Sequence, residues 1–340
     1  MSVREEIRNL KSRVSKQIIG QEEIVDRLIL GLLANGNLLV EGLPGLAKTR
    51  AIKALSDNIE ADFNRIQFTP DLSARDITGY EEHYPGKDGA TQDFKFIPGP
   101  VFANIVLADE INRAPARVQN TLLEAMEERQ VTVSAVAHKM PDLFMVMATQ
   151  NPSNQEGTFP LPEAQMDRFL MHVTIDYPDE ESEAKVIRLV RDEQSSSDNQ
   201  ADSNNKDKNK NSKKSKQDDK TSQAAIFSAR QEINDVTVPE PVEKYMVDLV
   251  FATRYPERYS YELKSFIDIG ASPRGSLALD KCARADAWLR GQDEVTPENV
   301  HNIVYAVLRH RISPGERAHK HNVSTDELIT DILDYVTPPG

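Results

Sequence analysis

Five short apolar runs recur through the first two hundred or so residues, and helical patterns fill the gaps between them. The runs are residues 37–41 (NLLVE), 64–69 (NRIQFT), 104–108 (NIVLA), 143–148 (LFMVMA) and 170–175 (LMHVTI). Helical patterns cover residues 48–58 and 116–128. Short strands alternating with helices build a parallel sheet covered by helices on both faces, and a strand buried on both faces reads as a continuous apolar run. The expected class is therefore α/β, a three-layer sandwich around a parallel sheet.

The chain changes character twice after the fifth run. Residues 194–223 are almost entirely Ser, Asn, Asp, Lys and Gln, with nothing to bury, and are expected to be a disordered polar insertion. From about residue 238 the pattern is helical throughout. Pro239 and Pro241 open a segment that runs to Tyr255, and Ser272-Pro273-Arg274 precedes a helix through Leu289. Thr296-Pro297-Glu298 combines an N-cap, a first-turn proline and an acidic first turn. The expected organisation is a core over 1–193, the insertion over 194–223 and a small helical domain over 224–340.

Composition narrows the functional classes. Of 340 residues 39% are hydrophobic, enough for a sizeable core. There are 41 Lys plus Arg against 54 Asp plus Glu, a net charge of −13. The polar insertion is slightly basic, so the folded body is more acidic than the total. Broad binding to a phosphate backbone needs the opposite balance, and no nucleic-acid partner is expected. A single cysteine, Cys282, rules out a disulfide within one chain and fits a reducing compartment. The N-terminus is charged and lacks the apolar stretch of a signal peptide. The longest apolar run, residues 28–40, is interrupted by Asn35, Gly36 and Asn37 and is too short to span a bilayer. A cytoplasmic protein is expected.

The first run leads into Gly42-Leu43-Pro44-Gly45-Leu46-Ala47-Lys48-Thr49, and a helical pattern follows at once. Strand, glycine-rich turn and helix in that order form a phosphate cradle, in which backbone N–H groups point inward and the helix start adds its positive dipole end. Lys48 would reach the β- and γ-phosphates of ATP, and the Thr49 hydroxyl would hold Mg²⁺. Arg50, on the same first helical turn, belongs to the candidate binding segment. The usual pattern has glycine where this chain has Ala47, and a methyl group fits there if the backbone is helical.

The third run ends in Asp109-Glu110. Ligands of open α/β folds bind at the carboxyl ends of the strands, so Asp109 is a candidate metal ligand, direct or through water, and Glu110 a candidate to orient or deprotonate water. The fourth run ends Thr149-Gln150-Asn151-Pro152. Asn151 could hold the same water or a phosphate, although a turn residue before proline is the commoner use of Asn there. Arg168, before the fifth run, reads either as an arginine finger or as a surface arginine paired with Asp167 or Glu163. Arg274, at the start of its helix, has the same two readings, and spacing decides neither.

Together these strings make the chain similar to the MoxR family of AAA+ ATPases. The resemblance rests on GLPGLAKT, ADEINRAPARVQNTLLEAMEERQVTV, ATQNPSNQEGTFPLPEAQMDRF and SPRG, and spans nearly everything but the polar insertion. The family commonly carries alanine at the Ala47 position. The resemblance implies a P-loop NTPase αβα sandwich followed by an all-helical AAA+ lid domain. It implies Walker A roles for Lys48 and Thr49, Walker B roles for Asp109 and Glu110, sensor 1 for Asn151, the arginine finger for Arg168 and sensor 2 for Arg274. Ile19-Gly20-Gln21 matches the segment near adenine. Related groups differ in whether the Arg274 position acts within or between subunits. The resemblance further implies a helix-2 insertion at about 76–97, a hairpin before sensor 1 at about 130–141, a hexameric ring, and chaperone-like remodelling with a von Willebrand factor A domain partner in cofactor or metal insertion or complex maturation. A nucleic-acid motor of the same branch, a magnesium-chelatase-like motor subunit and an ATP-binding scaffold without turnover are the competing readings.

Overall fold

The computed structural model describes residues 1–42, 46, 48–85, 92–151, 157–201 and 220–340. Its centre is a five-stranded parallel sheet formed by β1 (Leu38–Gly42), β2 (Phe63–Gln67), β5 (Ile105–Asp109), β8 (Met145–Gln150) and β9 (Met171–Ile175). The strand order is β2-β5-β8-β1-β9. Successive side chains of a strand point to opposite faces, and here both faces are dry. Leu38, Val40, Ile105, Leu107, Met145, Met147 and Val173 enter one core, whereas Leu39, Val106, Ala108, Val146 and Ala148 enter the other. That double burial is why most of these strands are unbroken apolar runs in the sequence. The observed strands match the five runs to within two residues at their starts.

Helices α1 (Val3–Ser15), α2 (Glu22–Leu33) and α3 (Lys48–Asp57) supply the first core, and α5 (Ala116–Glu128) supplies the second through Val118, Leu122, Leu123 and Met126. Two antiparallel hairpins extend from the second side. One pairs β3 (Gly79–Pro85) with β4 (Gln92–Pro98) after the one-turn helix α4 (Ala74–Thr78). It falls within the expected insertion, whose Gly86 and Gly89 lie outside the described residues. Gly79 starts it at φ +86°, and a Cβ there would meet the Ile97 carbonyl oxygen at 2.0 Å, so only glycine fits. The other hairpin pairs β6 (Gln130–Val133) with β7 (Val136–Lys139), inside the range expected for it. The two are joined by a stack of Phe96 on His138, with ring centroids 3.7 Å apart.

The polar insertion is shorter than its composition suggests. A helix over Glu180–Ala201 runs eight residues into it. At its far end Thr221 is buried, bridged to Ile59, and accepts from Arg13 at 2.8 Å. Residues 202–219 lie outside the described residues. Helices Gln223–Asn234, Glu240–Arg254, Pro273–Arg290, Pro297–Leu308 and Thr325–Tyr335 then build the C-terminal part. Thr296 caps its helix in a reciprocal capping box with Asn299. Trp288, Leu279 and Val307 belong to the same continuous core as β1, so the helical part is not a loose appendage. Its main polar anchor is Arg311. This buried guanidinium donates to the Asp167 carboxylate at 2.9 Å and to the carbonyls of Phe169 at 2.6 Å and Leu170 at 3.2 Å.

Candidate active site at the carboxyl edge of the sheet

Parallel strands bring all their carboxyl ends to one edge, and there the sheet order sets β1, β8 and β5 side by side. From the end of β1 the chain passes Gly42 and Leu46 and enters α3 at Lys48. Leu43, Pro44, Gly45 and Ala47 lie outside the described residues. Gly42 packs so closely on β9 that a Cβ would sit 2.8 Å from the Ile175 carbonyl oxygen. Lys48 is buried, and its Nζ folds back to donate to the Gly42 carbonyl at 2.6 Å. Burial pushes the ammonium below the usual lysine range, while Asp109, Glu110 and Glu41 pull it back up. Three carboxylates thus face one cation at the N-terminal turn of a helix. Thr49 is half-buried on that same turn. Arg50 Nε donates to the Gln17 carbonyl at 2.9 Å.

The β5 end carries the two acids. Asp109 is buried, and both its oxygens are engaged: Oδ1 accepts from the Thr149 hydroxyl at 2.6 Å, and Oδ2 from Arg65 Nη2 at 2.6 Å and Nε at 3.1 Å. Glu110 leaves the strand in the left-handed region, at φ 57° and ψ 48°. That conformation is costly for a residue with a Cβ and concentrates at functional sites. Its N–H donates to Thr149 Oγ1 at 2.8 Å, so one hydroxyl serves both acids. The Glu110 carboxylate accepts from Asn151 Nδ2 at 3.0 Å on one oxygen. On the other it accepts from Gln67 Nε2 at 3.2 Å and lies 3.1 Å from Arg113 Nε. Asn151 is buried and aimed from behind by Asn112, whose amide donates to the Asn151 carbonyl at 3.0 Å and accepts its N–H at 3.3 Å.

Lys48, Asp109, Glu110 and Asn151, expected from the sequence to share a site, therefore do so. Thr149, Arg65, Gln67, Arg113 and Asn112 join them. Nothing local in the sequence marks their roles, beyond Thr149 and Gln67 lying at or next to strand ends. Ile19-Gly20-Gln21 lies between α1 and α2. Gln21 Nε2 donates to the Asp176 carbonyl at 3.0 Å just past β9, which ties this segment to the same edge. Gly20, at φ +72°, has no room for a Cβ against Ser182.

Arg168 and Arg274 are elsewhere. Helix α5 starts near the carboxyl edge and runs back along the sheet, so Glu127 in its last turn lies toward the amino edge, as does Arg168 just before β9. Five strand residues at about 3.3 Å each separate the two edges by roughly 16 Å. Arg168 Nε lies 3.0 Å from Glu127 Oε2, and Arg274 pairs with Glu127 Oε1 and, at 3.4 Å, with Asp167 Oδ2. Neither arginine is part of the Lys48 cluster of its own chain.

The oxygens of Thr49 and Asp109 form a hard donor set of one hydroxyl and one carboxylate. Mg²⁺ bound to phosphates takes such a set, completing its octahedron with water and phosphate oxygens. The donor chemistry suits that ion, which Asp109 would hold with oxygens that also accept from Thr149 and Arg65.

A parallel sheet of this order, with a strand–turn–helix lysine beside two strand-end acids and a helical domain behind, defines a P-loop NTPase of the αβα class with a lid. Family models agree: that for ATPases associated with various cellular activities (AAA) matches residues 37–171, and that for the AAA lid domain matches 262–332. A Mycobacterium tuberculosis protein named Chaperone MoxR1 is 38% identical over 96% of this chain and 80% of its own length. Protein MoxR of Methylorubrum extorquens is 28% identical over 96% of this chain and 93% of its own. A crystal structure from Cytophaga hutchinsonii superposes with a TM-score of 0.84 at 39% identity, covering 99% of this chain and 96% of the other. The chain belongs to the MoxR family of AAA+ ATPases.

Proposed function

We propose that this chain hydrolyses ATP to ADP and phosphate with Mg²⁺, at a site completed by a second copy, within a ring that remodels a partner protein. One observation carries the reading: the Lys48–Asp109–Glu110–Asn151 cluster and the Arg168–Arg274 pair sit at opposite edges of one sheet. Phosphoryl transfer through a loose, charge-spread transition state depends on positioning and on positive charge at the transferring group. Lys48 is the only one of these cations at its own cluster's edge. Arg168 and Arg274 lie away from their own chain's cluster, which supports assigning both to a neighbour's phosphates.

Lys48 Nζ leaves the Gly42 carbonyl for the β- and γ-phosphate oxygens, a change from a neutral acceptor to a charged one. Glu110 accepts a proton from the attacking water, with Asn151 fixing the orientation of its carboxylate. Mg²⁺ on Thr49 and Asp109, when bound, neutralises phosphate oxygen charge. Loss of the γ-phosphate removes the anion that the neighbour's arginines hold, so the contact between chains loosens with each turnover. A hexamer, a partner with a von Willebrand factor A domain and a chaperone-like role in complex maturation or in cofactor or metal insertion are part of the same proposal. Their support is the family and the name of the mycobacterial relative.

Two variants test it. Glu110→Gln should bind ATP as the parent does and lose turnover by about 10²-fold or more. Arg168→Ala should be inactive alone and regain activity when mixed with Glu110→Gln, because each supplies what the other lacks. Full turnover by Glu110→Gln would remove the base assignment. Intact mixed rings without recovery would remove the action of Arg168 between chains.

A further inference from the structure

Glu127 is an acid in an unfavourable place. It occupies the last turn of α5, where the helix dipole presents its negative end, and Glu124 and Glu128 flank it with no basic residue in that turn. What offsets this is a pair of guanidiniums, one on each carboxylate oxygen: Arg168 on Oε2 and Arg274 on Oε1. Arg168 comes from the core and Arg274 from the helical domain, 147 residues from Glu127. Two cations drawn from separate domains repel each other unless an anion lies between them.

The manner of holding is informative. The nearest approach of Arg168 to Glu127 is from Nε, 3.0 Å from Oε2, with that N–H out of line for a hydrogen bond. An arginine gripped at Nε keeps its Nη1–Nη2 edge free, and that edge forms the bidentate fork that suits phosphate. Among the described residues neither Nη of Arg168 donates a hydrogen bond, and no carboxylate besides Glu127 pairs with this arginine. Asp167 fixes the other arginine from a second side, while its remaining contacts go to Ser272 at 2.8 Å and to the buried Arg311. Leu277, one turn beyond Arg274 on the same helix face, is 62% exposed, an apolar side chain suited to cover by a neighbouring chain.

We propose that Glu127 is the positioning residue that sets Arg168 and Arg274 side by side, so that both reach the same phosphate of the adjacent chain's ATP. The inference rests on the reading that the two arginines act between chains. Glu127 touches no substrate; it fixes the spacing and aim of the cations and couples the helical domain to the core at the ring contact. With glutamine in its place the negative charge between the two guanidiniums is gone and a single acceptor oxygen remains, so the arginines no longer have a carboxylate oxygen each.

The test uses full-length Glu127→Gln, Arg168→Ala and Glu110→Gln chains, alone and mixed pairwise, with steady-state ATP turnover and ring formation both measured. Glu127→Gln alone should lose about ten- to a hundredfold in kcat with KM for ATP moved by no more than about twofold, since its own phosphate cradle is untouched. Mixed with Glu110→Gln, it should recover activity, because the Glu110→Gln neighbour brings intact arginines to a site that still has its base. Wild-type kcat for Glu127→Gln, with Arg168→Ala inactive but rescued, would overturn the role of Glu127 and leave the arginines acting between chains. Slow Glu127→Gln that Glu110→Gln cannot rescue, while Arg168→Ala is rescued, would reduce Glu127 to a stabilising residue and also overturn the proposal. Arg168→Ala that is not rescued in intact rings would remove the underlying reading and this inference with it.

Discussion

Thr149 does the work of a hinge pin between the two acids. Its hydroxyl donates to Asp109 and accepts from the Glu110 N–H, and it is fully buried at the end of β8. Valine has nearly the same shape and neither hydrogen bond. Thr149→Val would leave a buried carboxylate oxygen and a buried N–H without this partner, and the left-handed turn at Glu110 would lose its restraint. Unfolding free energy from urea titration should fall by about 1–3 kcal/mol, and ATP turnover by about tenfold or more. Thr149→Ser keeps the hydroxyl and should stay near the parent in both. Equal losses for the two variants would mean that the methyl group matters and the hydroxyl does not. The sequence could not have singled Thr149 out. A threonine closing a strand is ordinary, and its partners are 39 and 40 residues away along the chain. The same distance hides Arg65, 44 residues from Asp109, whereas Lys48 and the two acids advertise themselves because their local context, a turn after a strand or the last residues of one, is itself the signal.

At the level of elements, legibility followed burial. β5 and β8 were readable because both faces are dry, so their apolar residues run without interruption, and the Thr296 helix was readable from its cap. The edge strand β2 has one buried residue, Ile66, among more exposed ones, so its run NRIQFT carries a weaker apolar signal. Composition alone marks the polar segment after residue 193 as disordered. The burial of Thr221 against Ile59 depends on Arg13 and Asn58, residues no local window contains. The turn Arg309–Arg311 shows the same limit: three basic residues in a row look like a solvated patch, yet Arg311 is the buried tie between helical domain and sheet. Replacing Arg311 with methionine removes a charge that answers Asp167 and donors to four carbonyls, Asp167, Phe169, Leu170 and Val307. Breaking a buried pair from one side costs about 3–5 kcal/mol, and Ser272 and Arg274 still hold Asp167 in part. A loss near 3 kcal/mol in denaturant unfolding is expected. An unchanged midpoint would show that the remaining apolar contacts hold the two parts together alone.

For the molecule as a whole, the continuous core predicts that sheet and helical domain unfold together. Cys282 reports on this directly. It is fully buried on the Pro273–Arg290 helix, and burial pushes its thiol up to about 12. A neutral, inaccessible thiol is inert. At pH 8 it should resist alkylation in the native protein and react completely in denaturant, with labelling along a urea series tracking loss of helicity by circular dichroism. Native-state labelling at the rate of a free thiol would show that the helical part opens separately from the sheet.

In the proposed ring, Arg168 and Arg274 on one rim of the sheet and Lys48 on the other make a single chain half of each of two catalytic centres. ATP then belongs to the seam between chains as much as to the chain that binds it. Linkage makes the effect reciprocal: whatever factor ATP adds to the grip of one chain on the next, assembly must return to the affinity for ATP. Affinities measured on dilute chains will therefore fall short of those in the assembled ring, and dilution alone should switch the enzyme off.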